Sequence, residues 1–346
     1  MANLTGVHMT RFRRVCVLTG DHQLTDATKP DGQYGDLDLQ YHEAMRSAVS
    51  SLSQYEFDIL HDHQTLLDRV LNNPPEFVLN LCDTGFRNVA TLELHVPALL
   101  EILGIPYSGA TPACIALCYD KGLVRLVAES LGIATPRELF LARGSDLDIL
   151  QDFQYPALIK PNRADGSVGI TQQSVVHDAA KARAYVGQLR EQLGCDVLVQ
   201  EYLPGPEYGM ALIGNPGCGF VELPPLMVDF HDLPAELPPI LGYESKTDPS
   251  SPYWRATKIV PADLAPEAVT AMRRDAMLLF DRLQCQDYAR FDLRARADGQ
   301  IALMEVNPNP ALDPDAKLAH MARFAGKEYP QVFEMILEAA QARLAT

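Results

Sequence analysis

A chain of 346 residues exceeds what one hydrophobic core usually supports, so two or three subdomains are expected. Its 47% hydrophobic and 21% charged content is that of an ordinary soluble globular protein, without the run of about 18 apolar residues that a membrane-spanning helix needs. A formal net charge of −16 disfavours nucleic acid and anionic membrane as partners, and it means that any polyphosphate site has to concentrate its few lysines locally. Lys121, Lys160 and Lys246 are the ones to follow. The basic stretch from Met1 to Arg14 is followed by an apolar run, Val15 to Leu18, that is too short for a signal peptide. Seven cysteines, an odd number with no CxxC pair, make neither a disulfide framework nor a zinc site. Cys114 and Cys118, one helical turn apart, read as small buried residues, and a reducing cytoplasm is the expected compartment.

In chain order, Arg14 to Thr19 and Phe77 to Cys82 are short apolar runs, each followed by a loop and a helical pattern, the cadence of a parallel α/β layer. A helix is expected over Leu92 to Leu103, closed by Gly104, and a short strand and turn over Ile105 to Gly109. Another helix opens at Pro112 and runs to about Ser130. Strands are expected at Glu138 to Leu141, Pro156 to Pro161 and Val197 to Glu201, with a glycine-bearing loop from Asn162 to Gly169 and a helix from Asp178 to about Leu193. They do not alternate strictly, which suggests antiparallel strands with helices on one side. Beyond Tyr208 the chain makes more strands. Eight prolines between Glu222 and Pro261 exclude a helix or central strand through most of that region. Tyr243, Tyr253 and Trp254 within it favour an ordered lid over a linker. Val269, Met272, Ala276, Leu279, Phe280 and Leu283 form one helical stripe, and a last amphipathic helix spans about Tyr329 to Leu344.

Between these two helices lies the most informative segment, Ala289 to Pro308. Asp298-Gly299, flanked by alternating runs, signals a tight two-residue hairpin in which opposed residue numbers sum to 597. Phe291 then faces Val306, Leu293 faces Met304 and Ala295 faces Ala302 on an apolar side. Arg290 faces Asn307 and Asp292 faces Glu305 on the other. Opposed Cβ atoms lie about 4.5–5.5 Å apart, so two such carboxylates repel unless a cation sits between them. Asp292, Glu305 and Asn307 are all hard oxygen ligands, a set that suits Mg²⁺ held together with substrate phosphates. A surface hairpin with a charged outer face accounts for the same pattern.

Other motifs carry two readings as well. Lys160 ends an apolar strand just before a proline, and a buried ammonium there needs an anion, phosphate or carboxylate. Asp165-Gly166-Ser167-Val168-Gly169 is a flexible turn whose backbone N–H groups can approach phosphate oxygens, or a simple hairpin turn. Gln200-Glu201-Tyr202-Leu203 leaves the core into Pro204-Gly205-Pro206 and Glu207. It offers backbone groups two residues apart for an adenine edge, or merely an acidic pair flanking a turn.

Taken together and in this order, these segments resemble the ATP-grasp superfamily, and within it the D-alanine–D-alanine ligases, from about Phe77 to Asn309. The resemblance implies a three-subdomain ATP-grasp fold of α/β and α+β layers with an N-terminal Rossmann-like layer. Its divisions would be an α/β subdomain at 1–120, a central ATP-binding subdomain at 121–205, and a C-terminal subdomain with lid and metal-binding hairpin at 206–346. It implies ATP and Mg²⁺, with Lys121, Lys160, Gly166 and Ser167 at the phosphates, Glu201 and Leu203 at the adenine edge, and Glu207 on the ribose. Asp292, Glu305 and Asn307 would hold the metal, and Arg290 and Lys246 would be catalytic. Small-molecule carboxylate and amine substrates follow, and a homodimer is what similar ligases commonly form.

Four segments depart from that pattern where D-alanine ligases hold their amino acids. They are Thr19 to Gln23 with the Asp-rich stretch to Asp38, Leu81 to Asn88, Thr247 where a tyrosine is usual, and Pro308 to Asp313 with Ala316 in place of a serine. Nucleotide, metal and oxyanion residues stay, and residues that recognise two D-alanines go. The expected activity is an ATP-dependent carboxylate–amine ligase working through an acylphosphate on an amino acid or peptide other than two D-alanines, with Asp21, Asp83, Arg87, Glu93 and Lys246 as candidate selectors. The alternatives are a D-alanine–D-alanine ligase with divergent loops, an ATP-grasp phosphotransferase, and a nucleotide-binding protein without turnover.

Overall fold

The computed structural model describes residues 12–346. Residues 1–11, and with them the start of the basic stretch weighed as a signal peptide, lie outside the described residues. The chain first lays down β1 (Arg14–Thr19), α1 (Asp36–Ser50), β2 (Glu56–Leu60), α2 (Leu66–Asn72) and β3 (Phe77–Leu81), with the strands parallel in the order β2-β1-β3. β1 and β3 are nearly all buried, as strands covered on both faces must be. Then come α3 (His95–Ile102), α4 (Pro112–Cys118) and α5 (Lys121–Ser130). The single helix expected from Pro112 is two helices. The Asp120 carboxylate accepts from the Leu123 N–H at 3.1 Å and so caps a new helix. The break puts Lys121 at the first position of α5 rather than mid-helix.

A second layer holds β4 (Glu138–Leu141), β5 (Ala157–Pro161), β6 (Val175–Val176), α6 (Ala179–Leu193) and β7 (Val197–Glu201), antiparallel in the order β4-β7-β5-β6. α6 is capped by Asp178 and stopped by Gly194 at φ +56°.

The third layer contains β8 (Glu207–Asn215), β9 (Gly219–Val221), β10 (Leu226–Asp229), α7 (Glu244–Thr247), α8 (Pro252–Ala256), β11 (Lys258–Pro261), α9 (Pro266–Arg282), β12 (Tyr288–Ala295), β13 (Ile301–Asn307), α10 (Lys317–Phe324) and α11 (Tyr329–Leu344). Its sheet runs β11-β10-β8-β12-β13, with β9 added on β8. The proline-rich region is more regular than its composition suggests. β10 lies inside the sheet because Pro224 and Pro225 fall just before it, Pro252 opens α8, and Pro261 ends the edge strand β11. Between these elements, Ile240 and Tyr253 are buried against Leu158 of the second layer, so the lid is anchored across the cleft.

The diagnostic hairpin is partly as expected. Arg290 pairs with Asn307, Phe291 with Val306 and Asp292 with Glu305. Beyond Asp292 the register shifts, and Leu293 faces Leu303 while Ala295 faces Ile301. The turn is the cause. Arg296 N–H donates to Gln300 O at 2.8 Å and Gly299 N–H to Arg296 O at 3.1 Å, with Gly299 at φ +87°. This is a three-residue loop, not a two-residue one, and a bulge near Met304 absorbs the slip before it reaches the charged end.

One buried clamp holds the layers together at the start of β12. Asp287 is fully buried and receives both ends of the Arg343 guanidinium at 2.8–2.9 Å, the Asn215 amide at 3.0 Å and the Gly109 N–H at 3.0 Å. It thus ties α11, β8 and the loop before α4 to one carboxylate. Asp287→Asn keeps the shape but strands the Arg343 charge. It is expected to lower unfolding stability by about 3 kcal/mol in a urea titration, and a loss below the scatter of replicates would show that the clamp is solvent-screened.

Candidate active site

β12 and β13 present their charged end to the cleft between the two antiparallel sheets. Asp292, almost fully buried, is held by Arg290 in a two-pronged pair at 3.0 Å on each oxygen and by Lys317 at 3.3 Å. These cations hold its carboxyl well below the usual carboxylate range even though burial pushes the other way. Asn307 donates to the same carboxylate at 3.3 Å. Glu305 is more open, with Lys121 Nζ at 3.8 Å. Lys121 also donates to the Ala164 carbonyl at 2.6 Å, which ties the glycine-bearing loop to α5.

Lys160 is buried at the end of β5, and burial lowers its pKa while Glu305 opposes that shift. Lys246, at the exposed end of the lid's first turn, projects into the same cleft. Desolvation by the cleft walls, then the charges of Lys317 and Arg290, push its ammonium down to about 8. Among the described residues the side chain of neither lysine makes a hydrogen bond or ion pair, so both ammonium groups keep their donors for something else. Gly166 and Ser167 have φ of +62° and +63°, and the lid closes on their loop through Tyr243 N–H to Ile170 O at 2.8 Å. A Cβ placed on Gly166 would stand 3.6 Å from Thr28 Cβ, an ordinary van der Waals distance, so the loop after β1 runs beside it with room for one methyl group.

The linker residues have local partners. Glu201 pairs its carboxylate with Arg296 at 2.5 Å and Arg137 at 3.5 Å, and its N–H donates to Arg137 O at 2.8 Å. Leu203 gives its carbonyl to Arg294 Nε at 2.6 Å. Glu207 is bridged by Lys317 at 2.9 Å and Arg294 at 3.4 Å. Lys317 was not among the residues singled out in the sequence. The one signal it offered is that a lysine at the first position of a helix opposes the helix dipole and needs carboxylates nearby.

Toward the first layer the cleft continues into a pocket lined by His22, Lys29, Asp38, His42, Asp83, Tyr288 and Asp313, among others. Lys29 is already paired with Asp38 at 2.6 Å, so Asp83 and Asp313 share only its more distant charge. Burial, then Asp313, push the Asp83 carboxyl up to about 7. Of the other expected selectors, Asp21 is consumed by the Gln23 and His63 N–H groups, and Glu93 is buried against the Asn309 amide at 3.0 Å. Arg87 lies exposed over the Phe86 ring.

This fold and cleft define the class of ATP-grasp ligases. A family model described as D-ala D-ala ligase C-terminus matches residues 134–338, and the chain belongs to that family. Among curated relatives, "Uncharacterized protein y4sG" of Sinorhizobium fredii is 33% identical over 72% of this chain and 70% of its own length. The vancomycin/teicoplanin A-type resistance protein VanA of Enterococcus faecium is 28% identical over 76% and 74%. Among solved structures, a D-alanine–D-alanine ligase from Bacillus anthracis complexed with ATP superposes with a TM-score of 0.71 at 21% identity, over 97% of this chain and 99% of that one. The VanG D-Ala:D-Ser ligase from Enterococcus faecalis gives 0.70 at 20%, over 95% and 100%. The chain is thus an ATP-dependent ligase of the carbon–nitrogen bond-forming kind, and no helix among the described residues is long and apolar enough to cross a membrane.

The Asp83 shift has a sign that can be checked. Its folded pKa lies above that of an unfolded aspartate, about 4. Stability present below that value is therefore lost as the pH rises through about 7. Asp83→Asn is expected to raise the melting temperature more at pH 8 than at pH 5. Equal shifts at both would mean that the carboxyl titrates normally.

Proposed function

We propose that the chain joins a carboxylate to an amine on an amino acid or peptide other than two D-alanines. The observation that carries this reading is the charge polarity of the cleft. One end gathers Lys121, Lys160, Lys246, Arg290 and Lys317 around the hairpin, and the other ends in the unpaired Asp83 and Asp313. The first end suits the phosphates of ATP and the second an ammonium group. Relatives named as a D-Ala:D-Ser ligase and as "Putative D-alanine--D-lactate ligase" indicate that the fold tolerates different second substrates.

In this reading the three sheets divide the work at about residues 120 and 205. Lys121, Lys160 and the Gly166-Ser167 loop hold the phosphates. The backbone of Glu201 and Leu203 meets the adenine, and Glu207 turns from Lys317 to the ribose. Asp292, Glu305 and Asn307 fit Mg²⁺: all three carry hard oxygen donors, Asp292 and Glu305 are opposed in register, and Glu305 opens to the cleft. When bound, the ion would neutralise charge on the transferred phosphoryl group. The substrate carboxylate attacks the γ-phosphorus, ADP leaves, and an acylphosphate forms. The amine then adds to the acyl carbon, and the tetrahedral oxyanion finds Arg290. Collapse expels phosphate, which carries off the proton that the nitrogen loses, and leaves the amide. Lys246 steadies the phosphoryl group through both steps.

Glu305→Gln, at a half-open position, should fold normally and lower kcat at least about 100-fold; undiminished turnover would remove the hairpin from the chemistry. The reading as a whole is tested by incubating the chain with Mg-ATP and pools of amino acids and dipeptides, following phosphate release and product mass. Amide product with ADP and phosphate from a substrate bearing an ammonium group is expected. Product from D-alanine alone would make it a D-alanine–D-alanine ligase, and a stable phosphorylated acceptor would make it a phosphotransferase.

A further inference from the structure

Three histidines converge at the rim of the pocket without any role in the reading above. His22 lies in the loop after β1, His42 on α1, and His61 directly after β2. The ends of adjacent parallel strands are where open α/β sheets take their ligands. A ring nitrogen from each lies within 4.8 Å of the others, and the ring centroids are 5.4, 4.6 and 6.0 Å apart. Nδ1 of His22 and Nδ1 of His61 are buried with no hydrogen-bond partner. Buried imidazole nitrogens are normally satisfied, and the adjacent His63 shows how. Its Nε2 meets Thr19 O at 2.9 Å, and its Nδ1 accepts from Arg87 N–H at 2.7 Å.

We propose that His22, His42 and His61 bind a divalent transition-metal ion of the zinc class in the pocket wall, with the remaining coordination position open to water or to a donor atom of the pocket's occupant. Three imidazoles with one open position are a known zinc arrangement, and Zn–N bonds of about 2.0–2.1 Å set the nitrogens about 3.3 Å apart. Closing the triad from 4.8 Å needs a movement of at most about 1.5 Å, within reach of side-chain rotation. Burial and mutual proximity lower the pKa values of His22 and His42, which favours the neutral ring that a metal requires. Asp21 opposes the shift at His22 and Glu43 that at His42, while Arg46 reinforces it at His42. The site is chemically distinct from the hairpin, whose oxygen donors suit Mg²⁺. His22 and His42 line the pocket itself, so the ion would touch whatever binds there.

The test uses the full chain, untagged and metal-free, in excess Mg²⁺ to occupy oxygen sites, titrated with Zn²⁺ by calorimetry and with Co²⁺ by visible absorption. One equivalent per chain and an intense tetrahedral Co²⁺ band are expected. His42→Ala and His42→Gln, each checked for unchanged circular dichroism, should weaken binding at least about 100-fold and abolish the band. The exposed His177→Ala should leave both unchanged. The sulfurs of the buried Cys114, Cys118 and Cys285 also lie within 4.8 Å of one another, so absence of stoichiometric binding, binding unaltered in both His42 variants, or binding lost instead in Cys118→Ser would overturn the assignment.

Discussion

Mutual repulsion between Asp292 and Glu305, set opposite each other on neighbouring strands, is the constraint that the rest of the cleft answers. The cations that offset it come from five separate elements: Arg290 from β12, Lys317 from α10, Lys121 from α5, Lys160 from β5 and Lys246 from α7. Three of these cations belong to the hairpin's own layer, and Lys121 and Lys160 reach in from earlier parts of the chain. The hairpin's charged end is therefore stable only when the antiparallel sheets, the helix α5 and the lid are assembled around it. Electrostatics here works beside the apolar packing of Leu158, Ile240 and Tyr253 in setting how the parts face one another.

This arrangement also explains why the opposite end of the cleft can be acidic. The cations gathered at the hairpin are not repeated at the other end. Asp83 and Asp313 are left to face the pocket with each other and with Lys29, which Asp38 already occupies. The result is a cleft with two electrical poles, and an occupant has to match both.

Much of this was legible in the sequence because it rested on local signals. The alternating runs around Asp298-Gly299, the strand before Lys160-Pro161 and the caps at Asp178 and Gly194 each fix their own geometry. The register from Arg290 to Asp292 was readable from charge, since any slip there would mix apolar and ionic faces. The turn end was not, because nothing in Asp298-Gly299 distinguishes a two-residue from a three-residue loop until the flanking pair Arg296 and Gln300 is seen. The break at Asp120 was missed because the apolar helical pattern runs through it. Lys317 and the three histidines were illegible for a different reason. Their meaning lies in partners far away in the chain, and such convergence becomes visible only once the layers are stacked.

The contact between Thr28 and Gly166 has a mechanical consequence. The loop that follows β1 and the glycine-bearing loop after β5 rest against each other like the leaves of a folding door, on opposite sides of the same opening. Gly166 is in a left-handed conformation, and a Cβ there would already stand at ordinary contact distance from Thr28, so a bulkier side chain on this leaf would press on its neighbour. A large change made on one rim would therefore be felt at the threshold of the other.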